Sequence, residues 1–182
     1  MEGIWHKILL NLQRDNHEKS EKRLRNLELK MVELLNQERE KSNLIPLFFN
    51  EEVAEVARNH SKDMASRGFY SHVNPDGENL LLRLGKAGVG YNLCGENTAK
   101  DFSVEKAHQS LMSSHGHRMN ILNPRFTDVG IGIAEAQDGT SLFITQNFIS
   151  IEANTKKSFL PLCLGGYFWW GILNRNLQVG YW

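Results

Sequence analysis

Four side chains of this sequence stand where chemistry could be done: His72, Glu96, His115 and His117. His72 ends the run Phe69-Tyr70-Ser71-His72, and Glu96 sits in Cys94-Gly95-Glu96-Asn97. The other two histidines fall in Ser114-His115-Gly116-His117-Arg118-Met119-Asn120. All are read at loops or element ends, where a side chain can leave the packed layers. Two imidazoles and a carboxylate with open positions suit zinc or another divalent cation, which polarises a carbonyl or acidifies a bound water. No helical His-Glu-x-x-His pattern or other local ligand motif accompanies them. Ser113 and Ser114 lie beside the histidines, but no Gly-x-Ser-x-Gly elbow or oxyanion loop supports a serine nucleophile. Glu96 could instead accept backbone N–H bonds within a tight loop. His60 shares a face with Val56, Ala57 and Met64 and reads as a boundary histidine, and His108 reads as a solvated helix residue. His115 and His117 converge only if their segment is extended, where alternate residues share a side.

The elements that must position these groups follow from periodicity and punctuation. Asn50 caps a helix through Ala65 whose inner face holds Val53, Val56, Ala57, His60 and Met64, and Gly68 supplies the left-handed stop. Pro75-Asp76-Gly77 is a turn, with φ fixed at Pro and free at Gly, so His72 lies at an element's end. Leu80 to Leu84 form a short helix that the glycines at 85, 88 and 90 break, and Ser103 caps another to about Met112. Between these two helices Cys94-Gly95-Glu96-Asn97 reads as a compact polar connection. After Pro124, Val129, Ile131 and Ile133 alternate with Gly130 and Gly132. The turn Gln137-Asp138-Gly139-Thr140 then leads to Leu142, Ile144 and Phe148, an antiparallel hairpin. From Glu18 to Ser42 the chain lacks Pro and Gly and places Leu24, Leu27, Met31, Leu34 and Leu35 on one helical stripe, too few heptads for a coiled coil. Helices first and strands last predict an α+β domain over residues 25–150, behind a partly helical extension at 1–24.

Residues 159–173 carry no charge and many aromatics, yet the run is shorter than the roughly 18 to 20 residues a membrane span needs. The whole segment 151–182 is read as an apolar aromatic tail outside the core. A loosely docked extension, interfacial membrane contact and a non-native extension of the reading frame are the readings open for it. Lys plus Arg and Asp plus Glu both total 21, so the net charge is zero and the cation excess of a nucleic-acid binder is missing. Cys94 and Cys163 can form at most one bridge, which excludes a disulfide-stapled scaffold or paired Cys-x-x-Cys zinc sites. No secretory signal is read, since only Ile8, Leu9 and Leu10 are consecutive apolar residues near the start.

Between Leu29 and Phe148 the sequence resembles the CAP superfamily, the cysteine-rich secretory protein, antigen 5 and pathogenesis-related 1 group, in its compact bacterial SCP-domain branch. The matching pieces, in order, begin with Leu34-Leu35-Asn36-Gln37-Glu38-Arg39 and Ala57-Arg58-Asn59-His60-Ser61-Lys62-Asp63-Met64. Ser71-His72 with Pro75-Asp76-Gly77, then Gly95-Glu96-Asn97, continue the series. Gly116-His117-Arg118-Met119-Asn120-Ile121-Leu122-Asn123-Pro124, Val129-Gly130-Ile131-Gly132 and Thr145-Gln146-Asn147-Phe148 complete it.

The resemblance implies a three-layer α-β-α sandwich with a cleft floored by two histidines and up to two glutamates. Carried over by motif, His72, Glu96 and His117 fill three of these positions, with Asn97 beside them, and form the candidate set for zinc or another divalent cation. Ser114 stands where larger members place the second acid. The implied function is ligand binding in this cleft without established catalysis, the ligand being a small molecule, a lipid or a protein. The alternatives are a metal-dependent, peptidase-like hydrolase in the same cleft and an envelope interaction module docked through the Trp-rich tail. The resemblance further implies an extracellular or cell-envelope location, to which the reading adds a monomer with no nucleic-acid partner and no transmembrane span.

Overall fold

The computed structural model describes residues 2–151, so the apolar tail lies outside the described residues. In chain order its elements are α1 (Glu2–Lys41), β1 (Phe48–Phe49), α2 (Glu51–Arg67), α3 (Leu80–Lys86) and β2 (Leu93–Asp101). They continue with α4 (Val104–Ser113), α5 (His115–Ile121), β3 (Asp128–Glu135) and β4 (Leu142–Ser150). One sheet runs β1-β3-β4-β2, so the expected hairpin of β3 and β4 forms its centre. Helices α2 and α3 cover one face and α1, α4 and α5 the other, which is the α+β three-layer α-β-α sandwich.

Strand alternation separates the two interiors. Val129, Ile131, Ile133, Ile144 and Phe148 pack with Met31, Leu35, Ala107, Leu111 and Ile121. On the opposite side Ile149 joins Val53, Val56, Leu80 and Leu84. Each fully buried aliphatic or aromatic side chain contributes about 1.5–3 kcal/mol.

Helix α2 is built as its ends predict. Asn50 Oδ1 accepts from the Val53 N–H at 3.2 Å, and Gly68, at φ 68°, donates its N–H to the Met64 carbonyl. Its contact with β3 is exceptionally close: a Cβ on Gly130 would lie 2.2 Å from the Ala54 nitrogen, and one on Gly132 would lie 2.0 Å from the Arg58 nitrogen. Ser61 uses that proximity, donating to the Gly132 carbonyl at 2.9 Å and sharing a 2.8 Å hydrogen bond with Thr145 Oγ1. Arg58 binds both oxygens of the buried Glu28 at 2.8 Å, pinning α2 to α1, and Glu28 together with Glu51 and Glu55 holds its guanidinium firmly charged.

On the other face Arg39 is fully buried and, among the described residues, has no carboxylate partner. It donates instead to the carbonyls of Ile45, Ile121 and Asn123 at 2.8–2.9 Å, closing the C-terminal end of α5 against α1. Burial pushes its pKa down from the usual arginine value.

Four features differ from the sequence reading. The first helix starts at Glu2 rather than Glu18, because no Pro or Gly after Gly3 interrupts it, and from His6 to Lys19 every described side chain is exposed. The polar Cys94-Gly95-Glu96-Asn97 stretch is not a loop but part of β2, paired with β4 over nine residues. Ser114-His115-Gly116 opens α5 instead of an extended segment, so His115 and His117 diverge. Phe48 and Phe49, read as no element, form a short strand that pairs parallel to β3 beside the predicted antiparallel hairpin.

Substituting Gly132 with Ala should lower unfolding free energy by roughly 3 kcal/mol, since backbone atoms of α2 must retreat. Gly85→Ala, in α3 with nothing within 4 Å of the new Cβ, should leave stability unchanged or raise it by up to about 1 kcal/mol. Urea unfolding of the two variants checks the contrast, and equal midpoints would contradict the close docking. Arg39→Met strands three carbonyls and should cost roughly 3 kcal/mol by the same measurement.

Candidate functional site

The site forms at the edge strand β2, where polar residues pair in register with β4: Glu96 opposite Asn147 and Asn97 opposite Gln146. Adjacent residues of a strand face opposite sides of a sheet, so Glu96 points toward the α2–α3 layer and Asn97 toward α5.

Glu96 is almost wholly covered, its side chain 5% exposed, and a carboxylate so buried needs compensation. Two neighbours supply it. Arg83 Nη2 donates to Oε2 at 2.6 Å, and His72 Nδ1 donates to Oε1 at 2.9 Å. Arg83 also grips the loop that carries His72, donating from Nη1 to the Glu78 carbonyl at 2.8 Å and to the His72 carbonyl at 3.2 Å. The loop is shaped locally by Asn74, whose Oδ1 accepts from the Asp76 and Glu78 N–H groups, and by Gly77 at φ 82°. Tyr70 OH ties the same loop to the Thr98 carbonyl of β2 at 2.9 Å.

This arrangement sets the chemistry of His72. With Nδ1–H committed to a carboxylate, the neutral ring carries its lone pair on Nε2, and 54% of the side chain is exposed. The hydrogen bond to Glu96 raises the His72 pKa above its usual 6.5, against an opposing effect of burial. The site can therefore offer a base or an acceptor to a ligand in the cleft, backed by a fixed negative charge.

On the α5 side the groups are amides. Asn97 Nδ2 donates to the His117 carbonyl at 3.0 Å and to Gln146 Oε1 at 3.1 Å, while Asn120 Nδ2 reaches Asn97 Oδ1 at 2.9 Å and the Glu96 carbonyl at 3.2 Å. These bonds staple α5 to β2 and fix the backbone at His117. Its ring is half-buried, and its pKa is lowered first by that burial and then by the charge of nearby His72. Ser114 is the shared boundary of α4 and α5, and its side chain caps neither.

The structure thus brings His72 into contact with Glu96 and places His117 near enough for their charges to interact. It does not assemble the three-ligand metal set: both oxygens of Glu96 are engaged, and among the described residues no three His, Cys, Asp or Glu side chains group as metal ligands. His115 is exposed and points elsewhere on α5. His108, read as solvated, is 6% exposed because Val104, Ala107, His108 and Leu111 form the buried face of α4. His60 is buried as expected, its Nε2–H donating to the Ser71 carbonyl at 3.0 Å. Arg83, Tyr70 and Gln146 were absent from the candidate set, and only an arginine on the leucine face of α3 hinted at a buried acid.

Opposed histidine shifts give a signed pH prediction. His60, His108 and His117 have pKa values lowered mainly by burial, so their contribution to stability is present above pH 6.5 and is lost as pH falls through the lowered values. His72, with a raised pKa, contributes fully below pH 6.5 and loses that contribution as pH rises through the raised value. The drop in urea midpoint between neutral and mildly acid buffer should shrink in His108→Leu and grow in His72→Ala. The opposite order would contradict these assignments.

Comparisons with known proteins identify the family. The model of the cysteine-rich secretory protein family, CAP, matches residues 32–148. The uncharacterized protein YkwD of Bacillus subtilis is 39% identical over 110 residues, covering 60% of this chain and 43% of that protein. A crystal structure of an extracellular SCP-domain protein from Bacillus anthracis is 36% identical, with a TM-score of 0.65, covering 70% of this chain and 41% of that one. An outer surface protein of Borrelia burgdorferi shares the fold at 18% identity and TM-score 0.61, over 66% of this chain and 90% of that one. The chain spans less than half the length of the curated relatives it matches. Family model, motif order and cleft together make this chain a member of the CAP, or cysteine-rich secretory protein, family.

Proposed function

We propose that the chain is a ligand-binding CAP module acting outside the cytoplasm, and that its cleft receives an amphipathic molecule. The observation that carries this reading is the exposed His72 imidazole, oriented by a buried carboxylate that is itself held by Arg83. Nε2 would accept a hydroxyl or amine proton from the ligand. The depression beside it, about 360 Å³, is lined by Leu80, Leu81 and Cys94 as well as His72 and Glu96, and Leu81 is 54% exposed. Val73 and Tyr70 add exposed apolar surface on the same loop. A polar acceptor flanked by apolar side chains suits a ligand with one hydrogen-bonding head and an alkyl or aromatic body.

Catalysis is not part of this reading. Burial pushes the Cys94 thiol up, which keeps it protonated and poorly nucleophilic. The extracytoplasmic assignment is supported by the Bacillus anthracis likeness, described as extracellular. Among the described residues no helix is long and apolar enough to cross a membrane.

Octyl glucoside below its micelle concentration carries both features and serves as a probe. Titration followed by NMR should give saturable shifts centred on His72 and Leu81, and His72→Ala or the exposed-site change Leu81→Ser should each weaken binding at least about fivefold, roughly 1 kcal/mol. Equal affinity in wild type and His72→Ala would overturn the reading.

A further inference from the structure

Among the described residues β2 ends the sheet, and its outer edge borders the His72 depression, which Cys94 and Glu96 help to line. Two carbonyls fix the phase of that edge. Glu96 O accepts from Asn120 Nδ2 at 3.2 Å and Thr98 O from Tyr70 OH at 2.9 Å, so both are directed away from β4. In an antiparallel ladder alternate residues send their N–H and C=O groups to the same side. Cys94, Glu96 and Thr98 therefore present their main chain outward, while Gly95 and Asn97 use theirs on β4.

The two ends of this edge differ in access. Thr98 is 5% exposed and its carbonyl is held by Tyr70. Cys94 and Glu96 are partly exposed, and because the Glu96 side chain is only 5% exposed, its main chain supplies the exposure. Outward N–H and C=O groups on a strand edge are a template for another extended main chain. The Glu96 oxygen has two lone pairs, so a second donor can join Asn120 there.

The same register selects a side chain. A residue added opposite Glu96 directs its side chain to the face of Glu96, where His72, Leu80 and Leu81 line the depression. Only the Cys94 and Glu96 positions are open, too few to continue the sheet into that of a second copy. They suffice for one peptide that is also anchored by a side chain.

We propose that the Cys94–Glu96 edge binds an extended peptide of a partner protein by strand addition, a tyrosine-like side chain opposite Glu96 entering the depression, an assignment that rests on the reading of that depression as a ligand site. Tyrosine carries both the hydroxyl that suits His72 and the aromatic body that suits the leucines. Main-chain pairing holds the peptide, and the depression chooses its side chain.

The full chain, labelled with nitrogen-15, is titrated with the acetylated and amidated peptide Thr-Val-Tyr-Val-Thr while amide exchange is followed residue by residue. In the free protein the Cys94 and Glu96 amides should exchange faster, relative to their intrinsic rates, than those of Gly95 and Asn97. Saturating peptide should slow the first two about tenfold or more, and methylating the peptide's main-chain nitrogens should weaken binding by about tenfold. Equal affinity of the methylated peptide, or binding that leaves the Cys94 and Glu96 amides unprotected, would overturn strand addition. If octyl glucoside binds and the peptide does not, this proposal falls while the cleft reading stands, and failure of both ligands removes the two together. Protection of these amides before any peptide is added would also overturn it, assigning the edge to a second copy if the protection grows with protein concentration and to residues 152–182 of this chain if it does not.

Discussion

Everything in this domain depends on how closely α2 lies on β3. Two glycines, Gly130 and Gly132, remove the side chains that would hold the helix away, and the backbone of Val53, Ala54, Ala57 and Arg58 occupies their place. At that separation Ser61 reaches the Gly132 carbonyl and Thr145, so two central strands and one helix share a single buried hydrogen-bond junction. The C-terminal half of α2 is then fixed over the sheet. His60 meets the Ser71 carbonyl, and the loop bearing His72 begins at a defined point. A helix shifted outward by one methyl group would carry that loop away from β2.

The candidate site adds an electrostatic constraint to this packing. Glu96 is buried on an edge strand with both oxygens occupied, one by a guanidinium and one by an imidazole, which offsets the cost of burying a carboxylate there. Arg83 is therefore a structural cation and a positioning residue together: it neutralises the acid, holds the loop carbonyls and leaves His72 as the group that faces the cleft. The carboxylate acts through the histidine rather than beside it. His117 arrives independently, carried by α5, whose placement rests on the Asn97–Asn120 amides and on the buried Arg39. Two unrelated sets of bonds thus position the two histidines, one through the α2–α3 layer and one through α5.

Some of this was legible in the sequence and some was not, for identifiable reasons. The Asn50 cap, the Gly68 stop and the Val–Gly–Ile–Gly alternation of β3 are local signals, and the elements they predicted formed where expected. Strand β2 was missed because its residues serve the cleft on one side and an amide network on the other, so no apolar alternation marks it. Helix α5 was hidden by Gly116 and by its length of seven residues, and its stability comes from Arg39, 82 positions away from Ile121. The motif order singled out His72, Glu96 and His117 as candidates, but the bond between the acid and its partner cation Arg83 required three dimensions. Nothing in the spacing of Arg83 and Glu96 states that they touch. His108 went astray for a related reason, since a polar residue on an apolar helix face is buried when another helix, here α1, packs on it.

The central claim is that Glu96 orients His72, fixing its proton on Nδ1 and presenting Nε2 to the cleft. Nitrogen-15 NMR of the histidine rings tests it most directly, comparing the wild type with Glu96→Gln. The account predicts the Nδ1–H tautomer for neutral His72, with a titration midpoint above 6.5 that falls in Glu96→Gln, while His117 stays below 6.5 in both. An Nε2–H tautomer in the wild type, or a His72 midpoint indifferent to the loss of the carboxylate, would contradict it.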